Sequence, residues 1–135
     1  SDFSVAHKSA AVKLSEISVG IGPFVVGPAV GRRVGGSAFS TLALDSKEWY
    51  DAEWAANKGL YNCLVDSRED LDREVSRIAN DLATSNPDAL SELKKILWQS
   101  TGHWDVTLEQ RAEISGRLVL SEFTRNFLSD FKNKK

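Results

Sequence analysis

A chain of 135 residues, 41% apolar and 27% charged, has the length and balance of one globular domain or of a piece of a larger one. Seventeen Lys and Arg against nineteen Asp and Glu leave a net charge of −2, with no cationic surplus for a phosphate backbone, which argues against a nucleic-acid binder. One cysteine and two histidines are too few for a disulfide or a zinc site, and no run approaches the roughly 20 apolar residues of a membrane span. No leader pattern opens the chain, so a soluble, cytoplasmic protein with no membrane contact is expected. The sequence holds no methionine and begins Ser1-Asp2-Phe3, which leads us to expect residues upstream.

Phe3–Ala6 and Ala11–Leu14 read as two short strands, with a turn over His7–Ala10. From Ser15 to Pro28, glycine or proline stands at 20, 22, 23, 27 and 28. That density suits a tight loop that lets backbone approach a ligand. Pro28 fits the first turn of a helix running to Val34, Gly35-Gly36 ends it, and Ser37–Leu44 reads as a second short helix. Ser46 is a candidate N-cap for a helix through Trp54 to Lys58, with Gly59 just past its end. Leu60–Val65 reads as a strand.

Asp66-Ser67 then caps a long helix, with Glu69 and Asp70 in its positive first turn and Leu71, Val75, Ile78 and Leu82 on one face. Asn86-Pro87 stops that helix and starts another, whose buried side is expected to carry Leu90, Leu93 and Leu97. Thr107 to Gln110 matches a capping box opening a further helix. A last amphipathic stretch holds Phe123, Phe127, Leu128 and Phe131 and ends in Lys132, Lys134 and Lys135, a cluster that suits a solvated helix end. The total is two or three strands followed by five or six helices. Two strands do not make a self-sufficient sheet, so the N-terminal third should need a partner.

Chemistry-bearing residues are sparse. Cys63 lies in an apolar run with no basic neighbour and reads as structural. No serine sits in a nucleophile elbow, and neither Gly20-Ile21-Gly22 nor Gly35-Gly36 gives a phosphate-binding loop. Glu16 is the one carboxylate placed for acid/base work, between an apolar strand and the Gly/Pro loop.

The segment Ser15-Glu16-Ile17-Ser18-Val19-Gly20-Ile21-Gly22-Pro23 resembles the Pro-Glu-x-x-x-Gly-x-x-Pro stretch of the enoyl-CoA hydratase/isomerase (crotonase) superfamily. The resemblance continues in order. Ser1–Ala6 is similar to the preceding strand, and Ala55 with Lys58-Gly59-Leu60-Tyr61 to the Ala-x-x-x-Gly-Leu-Val element. Ser85-Asn86-Pro87 with Lys94-Lys95 is similar to the Asn-Pro…Lys helix pair, and Ser129–Lys135 to the Ala-Phe-x-Glu-Lys-Arg tail. Two departures stand out. The Pro-Gly-x-Gly-Gly turn is replaced by Gly22-Pro23-Phe24-Val25-Val26-Gly27-Pro28, whose bulk should reshape the acyl pocket, and Glu-Gly before the tail is replaced by Asn126-Phe127.

The resemblance implies a mixed α/β (α+β) fold, the C-terminal part of a β-β-α spiral in proteins about twice this length. Residues 1–46 would end the spiral core and carry the active-site loop. Residues 47–135 would be helical and include the oligomerisation and CoA-contact helices. It implies an acyl-CoA thioester as substrate, no further cofactor and no metal. Glu16 would be the catalytic acid/base, and Gly20, Pro23, Phe24, Phe131 and Lys134 would contact the substrate. The N-terminal half of such an enzyme supplies the oxyanion hole, so this chain alone is expected to be inactive. Its expected partners are its own N-terminal half or further copies, trimers or hexamers in the intact family. A helical oligomerisation module, a double-bond isomerase and a thioester hydrolase are the alternatives.

Overall fold

A computed structural model describes residues 1–133. In chain order it runs β1 (Val5–His7), β2 (Ala11–Val12), a 3-10 turn over Glu16–Val19, α1 (Gly27–Leu44), β3 (Tyr50–Asp51), α2 (Ala52–Asn57) and β4 (Cys63–Val65). Four helices follow: α3 (Arg68–Ala83), α4 (Pro87–Trp98), α5 (Trp104–Val119) and α6 (Glu122–Asn133), with a second 3-10 turn over Gln99–Thr101. The fold is therefore mixed α/β, with the strands gathered in the first half.

The strands are shorter than the sequence suggests and pair with distant segments. β1 pairs in parallel with β4, Val5 opposite Cys63 and His7 opposite Val65. β2 pairs antiparallel with β3, Val12 opposite Tyr50. Arg33 of α1 fixes the start of β1, reaching the carbonyl of Asp2, the hydroxyl of Ser4 and the carbonyl of Leu60 at 3.0–3.2 Å and Asn62 Oδ1 at 2.7 Å. One cation thereby satisfies acceptors from both approaches to the parallel pair.

Helix boundaries follow their caps. Ser67 Oγ accepts the Asp70 N–H at 3.0 Å, and Asn86 Oδ1 accepts those of Asp88 and Ala89 at 2.9 and 3.3 Å. Gly35, at φ +76° and ψ 165°, interrupts α1 where the Gly35-Gly36 pair lies, so α1 is two helical segments across a kink. Gly59 sits just past α2 with φ +82°.

Three expectations need correction. No helix starts at Ser46: that residue is buried, residues 46 and 47 form a turn, residues 48 and 49 are irregular, and β3 intervenes before α2 begins. Asp51 is the cap instead, its carboxylate accepting the Trp54 N–H at 2.7 Å, because pairing with β2 keeps Tyr50 and Asp51 extended. Thr107 does not open α5, which starts at Trp104 without a side-chain cap. There the edge-to-face contact between Trp98 and Trp104, centroids 5.9 Å apart, supplies the packing that seats the first turn. Finally, Leu93 and Leu97 of α4 are not buried, and Val75 and Leu82 of α3 are about half exposed.

The core explains that last point. Its buried apolar residues are Ala6, Val34, Ala38, Leu42, Ala52, Ala55 and Val65, mostly small, and they cluster where α1 and α2 meet the strands. The accessible surface is 9255 Å², against about 7,000 Å² for a compact monomer of 14.9 kDa. The apolar stripe of α3 lies against β1, with Val75, Ile78 and Leu82 beside Phe3 and Val5, but that cover is partial, and Val75 and Leu82 stay about half exposed, as do Leu93 and Leu97 of α4.

Candidate active site

Glu16 opens the 3-10 turn, and backbone bonds hold it from both sides. The Ser18 N–H reaches the Ser15 carbonyl at 3.1 Å, and the Ile21 N–H reaches the Glu16 carbonyl at 3.0 Å. Gly20 closes the turn in the left-handed conformation, φ +86° and ψ 13°. A Cβ there would lie 2.5 Å from Thr124 Oγ1 and 2.6 Å from Phe123 Cδ1. Gly20 is thus glycine for two reasons, its backbone angle and the seating of α6 directly on the turn.

This arrangement leaves Glu16 Oε2 buried with no hydrogen-bond partner among the described residues. A carboxylate oxygen removed from water and given no donor is costly, and it is free to accept a proton or a hydrogen bond from a bound molecule.

Downstream, Gly22 and Pro23 are buried and the Phe24 ring folds back over Gly22, leaving no room for a side chain at 22. Here the chain borders a groove of about 400 Å³. Pro23 and Phe24 form one wall, Phe39 and Leu44 of α1 a second, and Arg111 and Ile114 of α5 a third. Ile17, the residue after Glu16, also lines it. The groove is apolar apart from the Arg111 guanidinium, whose Nη1 donates to the Phe24 carbonyl at 3.3 Å.

The expected site residues separate into three groups. Glu16, Pro23 and Phe24 lie on one continuous turn beside the groove. Gly20 abuts α6 and does not line the groove, and Phe131 is an exposed residue farther along α6. Lys134 lies outside the described residues. Arg111 and Phe39 are additions that reading the sequence in order missed. The available signal for Arg111 was a cation at helical spacing between Leu108 and Ile114, on an otherwise apolar face.

Cys63 is half-buried in β4, and no group of three His, Cys, Asp or Glu residues is placed to hold a metal among the described residues. No helix among them is long and apolar enough to cross a membrane.

No family model and no curated protein matches this sequence. Solved structures do match its backbone. An enoyl-CoA hydratase/isomerase from Pseudoalteromonas atlantica superposes with a TM-score of 0.87 over 99% of this chain and 54% of its own, at 20% identity. A putative enoyl-CoA hydratase from Mycobacterium avium paratuberculosis gives 0.87 over 99% and 52%, at 24% identity. An enoyl-CoA hydratase from Bacillus halodurans gives 0.85 over 96% and 52%, at 20% identity. The chain has the enoyl-CoA hydratase/isomerase fold. It spans about half the length of each of these structures. At such identities the backbone path is what is shared, and the chemistry of the site has to be argued from its own residues.

Proposed function

We propose that this chain is the C-terminal half of an acyl-CoA enzyme of the hydratase/isomerase type, with Glu16 moving a proton at the acyl carbons. The observation that carries the reading is the unpartnered buried oxygen of Glu16, whose neighbour in sequence, Ile17, lines an apolar groove of about 400 Å³. A carboxylate held by a closed turn, with one oxygen kept from water, has the position required of a general acid/base.

The Pro23 and Phe24 wall would shape the acyl pocket, and Phe131 of α6, together with Lys134, would meet the CoA moiety. The oxyanion-binding N–H groups would come from a second polypeptide segment, the N-terminal half of the fold. Loss of one such donor typically costs about 3–4 kcal/mol of transition-state stabilisation, so this chain alone should turn over very little. The excess accessible surface supports the same picture, since an N-terminal half or further copies of the chain would cover it.

The test is hydration of crotonyl-CoA by the purified chain, alone and co-expressed with a chain supplying the other half of the fold. Negligible turnover alone, activity in the complex and a loss of at least about 100-fold in Glu16→Gln are expected. Equal turnover by the wild-type and Glu16→Gln complexes would remove Glu16 from the mechanism. Efficient hydration by the chain alone would show that no second half is needed.

A further inference from the structure

Arg111 is the one feature of the groove that proton transfer at Glu16 does not use. It is half-buried, and it reaches in from α5 to a wall built 87 residues earlier in the sequence. The only hydrogen bond of its guanidinium among the described residues is the long one to the Phe24 carbonyl, and no carboxylate there pairs with it. A guanidinium carries five donors in a planar fork, so most of its capacity is unspent. Leaving a cation against Phe24, Phe39 and Ile114 without an anion is unfavourable unless an anion arrives.

A second observation places positive potential at the same corner. Nη1 of Arg111 stands 3.3 Å from where a Cβ of Gly27 would lie, at the first residue of α1. That helix start has no side-chain cap, because its N-cap is Val26. The positive end of the α1 dipole and the guanidinium thus reinforce each other. The rest of the lining is hydrocarbon, and about 400 Å³ is within the range of small-molecule sites. A fully anionic group such as phosphate would match the corner and waste the apolar walls. A plain alkyl chain would match the walls and leave the cation bare.

We infer that this groove binds a carboxylate carried on an alkyl stem, with Arg111 taking the carboxylate and the Phe24, Phe39 and Ile114 walls taking the stem. Combined with the acyl-CoA reading, on which this part rests, the preferred substrates are acyl thioesters whose far end is a carboxylate.

The test uses hexanoate as the probe and hexanamide as its neutral isostere. Titrations are followed by NMR on the Ile114 and Ile17 methyl groups and the Arg111 Nε–H. Hexanoate should bind about tenfold or more tightly than hexanamide, as expected for a charge-assisted pair in a partly dry site. Arg111→Gln should abolish that preference by weakening hexanoate, and Arg111→Lys should restore part of it. Equal binding of the two probes, or a preference that survives Arg111→Gln, overturns the inference. So does absence of binding by both, which would assign Arg111 to an acidic side chain from a second polypeptide. Adipyl-CoA and hexanoyl-CoA, titrated into the complex with the other half of the fold, separate this inference from the catalytic reading. Carboxylate preference with no binding of either thioester keeps the anion site and removes the acyl-CoA function. Binding of both thioesters with equal affinity does the reverse.

Discussion

Replacing Gly20 by alanine tests whether α6 is seated on the Glu16 turn. Two costs act together. At φ +86° an L-residue loses about 1–2 kcal/mol to its own backbone. The new methyl group would also lie 2.5 Å from Thr124 Oγ1 and 2.6 Å from Phe123 Cδ1. Phe123 is 64% exposed, so its ring can swing outward. Thr124 is 2% exposed, and its hydroxyl is fixed by the Leu118 carbonyl at 3.0 Å and Ser121 Oγ at 3.2 Å. Relief must therefore come from α6 itself, adding about 1–3 kcal/mol of overpacking. The sum is about 2–5 kcal/mol, read as a lowered urea midpoint together with faster amide exchange along α6. The same substitution at Gly116 is the counterpart, since it lies inside α5 with nothing within 4 Å of its Cβ position. There alanine should stabilise by about 0.5–1 kcal/mol. If Gly20→Ala costs less than about 1 kcal/mol and α6 protection is unchanged, the turn and α6 are not packed as described.

Three further outcomes follow from other contacts. Asn86→Ala removes the acceptor for the Asp88 and Ala89 N–H groups and should cost about 1 kcal/mol, with early exchange confined to the start of α4; uniform exchange along α4 would refute it. Asp2 is held below its ordinary carboxylate value of 3.8, first by the hydrogen bond from Lys94 and then by that from the Trp98 indole. Its folded pKa is below its unfolded one, so the tether from the N-terminus to α4 is complete above pH 3.8 and is lost as pH falls through the lower folded value. The Trp98 Nε1–H resonance should report that step, and Asp2→Asn should abolish it; a step that persists in the variant refutes the assignment. The accessible surface exceeds that of a compact monomer by roughly 2,000 Å², comparable to the smaller permanent interfaces. Light scattering at micromolar concentration should therefore give a mass above 14.9 kDa, and a clean monomer would count against an uncovered face.

Helix ends were legible where a side chain announces them. Ser67 and Asn86 each place an oxygen over the first-turn N–H groups, and Gly35 and Gly59 have the positive φ expected of them. The start of α5 was not legible, because its first turn is held by Trp98 packing on Trp104 and has no capping side chain. β3 was hidden for a different reason. Tyr50-Asp51 is a strand only because β2 lies beside it, and the same Asp51 also caps α2. At the site, sequence order brings Glu16, Pro23 and Phe24 together on one loop. Phe39 and Arg111 join them only through the path of α1 and α5, which local patterning does not encode. The apolar faces of α3 and α4 were legible, but the burial expected of Leu93 and Leu97 on α4 was not met, since burial depends on what lies opposite.

The pairing of β1 with β4 has a consequence for the order in which the molecule assembles. The contacting residues are 58 positions apart, so the first strand leaves the ribosome long before its neighbour exists. At about 5–20 residues per second that interval lasts about 3–12 s. Throughout it, Val5–His7 is a nascent segment with open backbone donors and acceptors, while α1 and α2 have time to form behind it. Arg33 lies about midway between the two strands in the sequence, and in the folded chain it bonds the Asp2 carbonyl and Ser4 hydroxyl on one side and Leu60 and Asn62 on the other. One arginine therefore serves as a clasp between a segment that is made early and one that is made late.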